Sequence, residues 1–547
     1  MTQRQRAFVL ATLCAGLAFR LVFVMSDVRG LVDRGPLYDD SFYAFGVARH
    51  IAAGHGSTFD GEHVTNGFQP LWVGTLVPLY WLAGGDGAIY LALVLSSVFN
   101  VLTGWLLFRL LRRHLSFAAA FLGLALWGFA PAVLRQAVNG LETALAMFLV
   151  ALCLDYYLTR FRRHPAAPQA LVLGALLGLA VLARVDAILF ALTLIWDGLR
   201  RDRRRWRTWA MVAGVTTGMV LPWCVTSRVV VGRATPESGE ATRFLSSAYA
   251  AHDFPTTGQD ASGGGVRMPL WAHNLGQSIL LLGTSPPLHV FTRALERSLD
   301  GVSASARART VAVLLLLATA AIVTWRLLGV RARALHDDLG FMFLYCALLI
   351  IAYSTIVFGH IFFSRYYYPV FYLSIAVACH AADALLMRLP PGWSRRFALA
   401  LAGFYLLFLP YMSWNRLRNG DYRFVHVVRW IESQTPPDAR LGIFNSGAIG
   451  YFSDRRVFNL DGKVNPEALA ALQRGDLRTY LAEARIDYVV DHRWILEHFL
   501  HPDAAADGMI FTPVADEDAL GVPGWRAYRV GSRQASAITP TVPESHP

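Results

Sequence analysis

Two adjacent aspartates, Asp39 and Asp40, head the run Ser41-Phe42-Tyr43 through Ala52-Ala53-Gly54. Such a pair suits acid–base work, one carboxylate taking a proton from a hydroxyl while the other orients it. Neighbouring residues on a helix do not face the same way, so at most one of the two points into a given cavity. The ordinary alternative is an N-cap followed by a first-turn acid that the helix dipole favours. Further polar groups interrupt apolar stretches downstream: Asn139-Gly140-Leu141-Glu142-Thr143, Arg184-Val185-Asp186, Gly359-His360 and Ser364-Arg365-Tyr366. Singly, Glu142 reads as a first-turn acid, Arg184 with Asp186 as an intramembrane ion pair, and Arg365 as a snorkelling side chain. Together they bring two arginines, four acids and His360 to one level on one side of a bilayer. A cavity that grips an anionic phosphate beside an acid–base centre accounts for that grouping.

The elements that must position these groups are apolar helices. Of the 547 residues, 55% are hydrophobic and 16% charged, with a mean hydropathy of +0.39. A soluble chain carries roughly 25% charged residues, so a soluble enzyme and a disordered scaffold are both excluded. The fold class is a polytopic α-helical membrane protein. The net charge of +12 does not point to nucleic acid, because the basic residues form short clusters between apolar runs and no stripe with interleaved aromatics. Lys463 is the single lysine among 50 basic residues, which reads as arginine-biased coding. The cysteines at 14, 153, 224, 346 and 379 all lie in apolar runs and form no disulfide or zinc pattern.

Charge clusters set the topology. Residues 7–25 make a first span with Arg4 and Arg6 inside, and residues 27–87 form a long first outer loop. Within it, Phe42, Phe45, Val47, Ile51 and Ala52 predict an amphipathic helix lying on the membrane, with Gly54 as C-cap. The apolar piece 71–82 is short and contains Pro78, so it reads as juxtamembrane or re-entrant. Residues 170–199 are read as two half-length helices joined at Arg184-Val185-Asp186, because one helix would put the six arginines of 200–207 outside. Each half is about 21 Å long against roughly 30 Å of hydrocarbon, which sets the junction in a protein-lined recess. Residues 208–230 lead to a Gly-, Ser- and Thr-rich loop at 232–273, and 275–291 lie along the outer face. The expected total is about 11 transmembrane helices in residues 1–412, N-terminus inside. Alternating strand-like and helical runs predict a soluble α/β domain over 413–530 on the side of the first loop, with a disordered tail at 531–547.

These motifs resemble the GT-C superfamily of polyprenyl-linked-sugar glycosyltransferases. The likeness rests on Asp39-Asp40, Ala48-Arg49 with Gly54 and Gly56, Asn139-Gly140-Leu141-Glu142, Leu182-Ala183-Arg184, Arg365-Tyr366 and Leu460-Asp461-Gly462-Lys463-Val464-Asn465. Within the superfamily they are similar to a bacterial subgroup that includes the actinobacterial terminal arabinofuranosyltransferases. The resemblance implies an inverting transfer from a polyprenyl-phosphate sugar to a cell-envelope glycan or lipid acceptor, at the outer face of a bacterial inner membrane. Asp39 would be the general base and Asp40 its orienting partner or the alternative base. Arg365 and Arg184 would hold the leaving phosphate. Glu142 and Asp186 would contact the sugar or fix those arginines, and His360, Asn66 and Gln69 would complete the substrate site. Trp72 could stack on a sugar, although an interfacial belt is the simpler reading. A divalent cation could sit on Asp39, Asp40 and Glu142, but the spacing shows no ligand set and no metal is assigned. One departure stands out: many relatives read Pro-Ser/Asn-Thr with a following lysine after the seventh span, whereas Pro236-Glu237-Ser238 and Arg243 occupy those places here. A transporter or flippase for a lipid-linked sugar is the alternative, although no internal repeat is visible.

The topology has a direct test. Cysteines placed at Ser57 and Ser453, in a background cleared of native cysteines, should both react with a membrane-impermeant reagent in intact cells. Protection of either site would mean that the span count has the wrong parity.

Overall fold

The first apolar run folds as α1 (Gln3–Val24), closed at its start by a capping box in which Thr2 and Gln5 exchange hydrogen bonds. The computed structural model describes all residues except 254–269, 290, 293–294, 296–305, 330, 358–364, 418–421, 504–507 and 533–547. After α1 come α2 (Val28–Arg34), α3 (Asp39–Ala52), α4 (Pro70–Ala83) and α5 (Gly85–Leu111). Next are α6 (Phe117–Phe129), α7 (Pro131–Ala137), α8 (Thr143–Tyr156), α9 (Ala167–Ala183), α10 (Ala187–Arg201) and α11 (Trp206–Val230). The helical part closes with α12 (Glu237–Asp253), α13 (Leu270–Leu282), α14 (Ala306–Leu328), α15 (Arg331–Ala352), α16 (Tyr368–Leu386) and α17 (Pro391–Leu417).

Among the described residues, six helices are long and apolar enough to cross a membrane unaided, and α6 with α7, bent by 56°, makes a seventh if counted as one span. The chain is a multi-pass membrane protein, but eleven spans are not found. Among the described residues, α14 contributes the apolar stretch Val313–Leu328, and α9 is a shorter apolar helix of 17 residues. Also against expectation, the Gly-, Ser- and Thr-rich segment after α11 is not all loop, because Glu237–Asp253 is helical. The expected hairpin at 170–199 does form. Its turn falls at Arg184-Val185-Asp186, and α9 and α10 extend about 25 and 22 Å from it.

The far ends of these helices meet at Asp337-Asp338 in α15. Arg162 Nη1 and His114 Nε2 lie 2.9 and 2.8 Å from the Asp338 carboxylate, and Arg201 Nη2 donates to the Asp337 carbonyl at 2.7 Å. The basic loops after α5, α8 and α10 therefore share one end of the bundle, as the two-half-helix reading requires. The other end, hereafter the loop face, carries the first loop and a sheet domain.

That domain holds a five-stranded sheet of order β2-β1-β3-β5-β4. Strands β1 (Arg440–Ile443), β2 (Arg456–Asn459) and β3 (Tyr488–His492) run parallel. Antiparallel β4 (Met509–Ala515) and β5 (Trp525–Ser532) complete it, so strand structure continues through Ser532, beyond the expected boundary at 530. The rest of the expected tail lies outside the described residues. One face of the sheet is covered by α18 (Phe424–Gln434), with Val427 and Ile431 packed on Leu441, Ile443 and Trp525. A short α19 (Gly447–Phe452) follows β1, and α20 (Pro466–Arg474) follows β2, capped by Asn465.

Arg20 fastens the bundle. It is fully buried, and its Nη1 donates to the carbonyls of Gly16 and Gly128 at 2.7 and 2.9 Å. Nη2 reaches Asn100 Oδ1 at 2.6 Å and the Trp127 carbonyl at 3.3 Å. Gly128 and Trp127 belong to the last turn of α6, where the bend into α7 leaves carbonyls without intrahelical partners. An intramembrane arginine at such a C-terminus satisfies them and complements the helix dipole. Arg20→Met should orphan these acceptors at about 1–3 kcal/mol each. A fall of several degrees or more in the melting temperature of the detergent-solubilised protein is the expected result.

Candidate active site

Helix α3 starts where Tyr38, extended at its N-cap, offers no side-chain cap and two acids follow in the first turn. The amphipathic pattern suggested that this helix lies on lipid. Instead residues Ser41 to Ala48 are all buried, packed between α4 and α19 of the sheet domain. Phe42 touches Tyr451 and Phe452 with ring centroids 5.2 and 5.1 Å apart. The apolar face is covered by protein, so the helix holds the two parts of the molecule together.

The aspartates diverge, as adjacent helical residues must. Asp39 turns to the sheet domain, where its Oδ1 accepts from Ala448 N at 2.7 Å and its Oδ2 from Gly447 N at 3.3 Å. It thereby closes the first turn of α19. Burial pushes its carboxyl up to about 7; the Ala448 hydrogen bond opposes this and the nearby Asp40 charge adds to it. Asp40 turns to two cations. Its Oδ2 lies 2.7 Å from Arg365 Nη2 and its Oδ1 3.2 Å from Lys463 Nζ. Burial would raise this carboxyl, but Lys463 and Arg365 outweigh it and hold the group well below the usual carboxylate range. Lys463 also contacts Asp461 Oδ2 at 2.9 Å. Its backbone approaches Gly67 so closely that a Cβ there would collide with the Lys463 carbonyl.

A second group adjoins the first. At the turn between α9 and α10, Arg184 Nε donates to both Asp186 oxygens at 3.0 and 3.1 Å, Nη1 to Glu142 Oε1 at 3.1 Å, and Nη2 to the Tyr353 hydroxyl at 3.0 Å. Every nitrogen of this guanidinium is thus engaged. Glu142 and Asp186 hold this guanidinium in place at the turn. Tyr366 links the groups, with the Arg365 and Arg184 guanidinium carbons 4.9 and 5.1 Å from its ring centroid. A narrow cleft between them is lined by Arg184, Asp186, Tyr345, Arg365 and Tyr366.

Other expected substrate contacts face inward. Gln69 Oε1 accepts from Val185 N at 3.3 Å and so steadies the α9–α10 turn. Asn66 is buried; its amide donates to the Arg233 and Thr235 carbonyls, both at 3.1 Å, and its Oδ1 accepts from Glu237 N at 3.1 Å. Trp72 is 1% exposed and its Nε1 donates to the Gly140 carbonyl at 3.1 Å. It is therefore neither a sugar platform nor part of an interfacial belt. His360 lies outside the described residues. Sequence reasoning missed Tyr353, named Tyr366 only within a motif, and gave Lys463 no role. For Lys463 a signal existed, since one lysine in an arginine-coded chain marks a place that needs an ammonium. The three acids weighed for a divalent ion do not converge, each being held by a different partner. Among the described residues no group of three or more His, Cys, Asp or Glu side chains could hold a metal ion.

The same arrangement of helices and sheet domain recurs in known proteins. ArnT from Cupriavidus metallidurans in its apo state superposes with a TM-score of 0.56 at 15% identity, over 98% of this chain and 99% of that one. The apo Archaeoglobus fulgidus oligosaccharyltransferase gives 0.55 at 13% identity, over 91% and 71%. The AglB oligosaccharyltransferase of that organism, in complex with an inhibitory peptide and a dolichol-phosphate, gives 0.53 at 12% identity, over 91% and 70%. The chain therefore shares the fold of these proteins. Residues 81–226 match the family described as dolichyl-phosphate-mannose-protein mannosyltransferase, and residues 413–533 match a domain of unknown function, DUF8728. No curated protein matches the chain by sequence.

Two buried carboxylates near this site, Asp39 and Glu237, tie the stability of the fold to pH. Glu237 is fully buried, its Oε2 accepting from the Thr65 hydroxyl at 3.0 Å, and burial pushes it up to about 7 as it does Asp39. An acid whose folded-state pKa exceeds its unfolded value binds more protons when folded. Its contribution therefore favours the fold at low pH and declines as pH rises through roughly 4 to 7. Thermal unfolding from pH 5 to 8 should show a melting temperature that falls with rising pH, and a flatter profile in Asp39→Asn/Glu237→Gln. An identical slope in the double variant would assign the dependence to other groups.

Proposed function

We propose that this chain is an inverting glycosyltransferase that moves a sugar from a polyprenyl-phosphate donor to a hydroxyl acceptor. The observation that carries the reading is Asp40, held between Arg365 and Lys463 beside the Arg184 cleft. The shared fold supports it, as does the match of residues 81–226 to a family whose description names a dolichyl-phosphate sugar. The motif resemblance supports arabinofuranose as the sugar and a cell-envelope glycan or lipid as acceptor. By the same reading the loop face is extracytoplasmic in a bacterial inner membrane, and the outer domain 413–530 contributes Lys463 to a catalytic site otherwise built by 1–412. A flippase would place its charged groups near the bilayer midplane, whereas here they gather against the sheet domain.

In this mechanism the donor phosphate competes with Asp40 for Arg365 and Lys463. Once those cations turn to phosphate oxygens, the Asp40 carboxylate loses what held its pKa down and becomes a better base. It takes the proton of the acceptor hydroxyl as that oxygen attacks the anomeric carbon. The bond from that carbon to the phosphate oxygen breaks, and its electron pair stays on the phosphate, where Arg365 and Lys463 meet the growing charge. Asp39 positions Asp40 by fastening α3 to α19, so the roles first expected of the two aspartates are exchanged.

Asp40→Asn should lower kcat by about 10²- to 10⁴-fold, the usual loss on removing a general base. Asp39→Asn still offers Ala448 N an amide oxygen and should keep more than about a third of the wild-type rate. Arg365→Lys should raise the donor KM because an ammonium cannot bind two phosphate oxygens in parallel. A rate in Asp40→Asn close to wild type would remove the mechanism, and a folded but inactive Asp39→Asn would return the base role to Asp39.

A further inference from the structure

Beside α2 and α18, away from the cleft described above, lies a separate opening of about 540 Å³ whose walls carry Arg29, Arg34, Arg423 and Arg429 with Asp27 and Asp33. Both aspartates are already engaged. Asp27 Oδ2 accepts from Gly30 N at 2.9 Å and opens α2, while Asp33 Oδ1 accepts from Val425 N at 3.1 Å. The Arg34 and Arg429 guanidiniums make no ion pair or hydrogen bond with the described residues. Four arginines against two aspartates leave the opening with surplus positive charge.

It continues into an apolar groove that shares Asp27, Gly30 and Arg34 with it. The groove is lined by Val22 and Phe23 from the last turn of α1, Leu31 and Pro36 from the first loop, and Trp414 near the end of α17. Val22 is 51% exposed and Trp414 38% exposed. A basic opening set against an apolar groove, at the end of a membrane-spanning helix, has the shape and charge of a site for an anionic amphiphile.

We propose that this site binds an anionic phospholipid, with the phosphate between Arg34 and Arg429 and an acyl chain along Val22, Phe23 and Trp414. Because α2 belongs to the first loop and α18 to the sheet domain, such a lipid bridges the two. Tyr422 N already donates to the Asp33 carbonyl at 2.8 Å across this seam. The site does not depend on the proposed reaction, since none of its residues belongs to the Asp40 group.

Native mass spectrometry of the full chain, offered phosphatidylglycerol or phosphatidylcholine in equal amounts, tests it. Phosphatidylglycerol should be retained at least ten-fold better, and Arg34→Gln/Arg429→Gln should remove about that margin. Arg34→Lys/Arg429→Lys keeps the charge and should recover part of it. Ser26→Trp, which fills the groove without touching an arginine, should also lower retention. Equal retention of the two lipids, or a double glutamine variant that holds phosphatidylglycerol as wild type does, overturns the proposal. So does displacement of the lipid by inorganic phosphate together with a silent Ser26→Trp, because that pair of results describes a plain anion site.

Discussion

The pairing of Asp40 with Arg365 and Lys463 joins three parts of the chain that are far apart in sequence. Asp40 comes from the first loop, Arg365 from the turn before α16, and Lys463 from the sheet domain, 423 residues from its partner. A buried ion pair adds little net stability, because desolvation offsets most of the attraction, but removing one partner leaves an uncompensated charge. The pairing is therefore better understood as a device for register than as glue. It fixes how the sheet domain sits on the bundle, while apolar contacts such as Phe42 on Tyr451 and Phe452 supply the adhesion. A ligand that takes over either cation acts on all three parts together.

Much of the backbone plan was legible before any coordinates. The parity of the arginine clusters located the break at Arg184-Val185-Asp186, because a single helix there would have stranded six arginines on the wrong side. Alternating strand-like and helical runs indicated an α/β domain, in which β1, β2 and β3 form with helices between them. What covers an apolar face was not legible. The pattern in α3 states that one face avoids water, and lipid and protein satisfy that equally. Trp72 was misread for the same reason. The helix Glu237–Asp253 escaped notice because the side chain that meets its first backbone N–H, Asn66, lies 171 residues earlier in the chain. Composition alone reads such a segment as loop.

The two arginines of the site show why residue type and level were not enough to assign roles. Arg184 lines the cleft but is held by two carboxylates and a tyrosine hydroxyl, with its guanidinium against the Tyr366 ring. Arg365 shares one carboxylate with Lys463. A guanidinium in that position can exchange its partner for a phosphate, and the carboxylate it releases is the one the proposed mechanism uses as base. From sequence both are arginines beside a tyrosine or an acid at the same depth. Among the described residues, the carboxylates around each are what distinguish the two.

That count also accounts for Asp39. Around the cleft, Arg184, Arg365 and Lys463 meet Glu142, Asp186, Asp40 and Asp461, so the cations are already outnumbered before any donor arrives. A further ionised carboxylate at Asp39 would lie beside Asp40 and Asp461, with two backbone N–H groups and the charge of Lys463 to meet it. Burial and those neighbours push it up to about 7, so near neutral pH it exchanges protons where Asp40 cannot. An incoming phosphate would add one more negative charge to the same small volume and favour protonation of Asp39 further. On this argument the pair is divided by charge as well as by direction. With no ligand bound, Asp40 is held ionised by two cations, whereas burial and its acidic neighbours make Asp39 the carboxyl that protonates more readily.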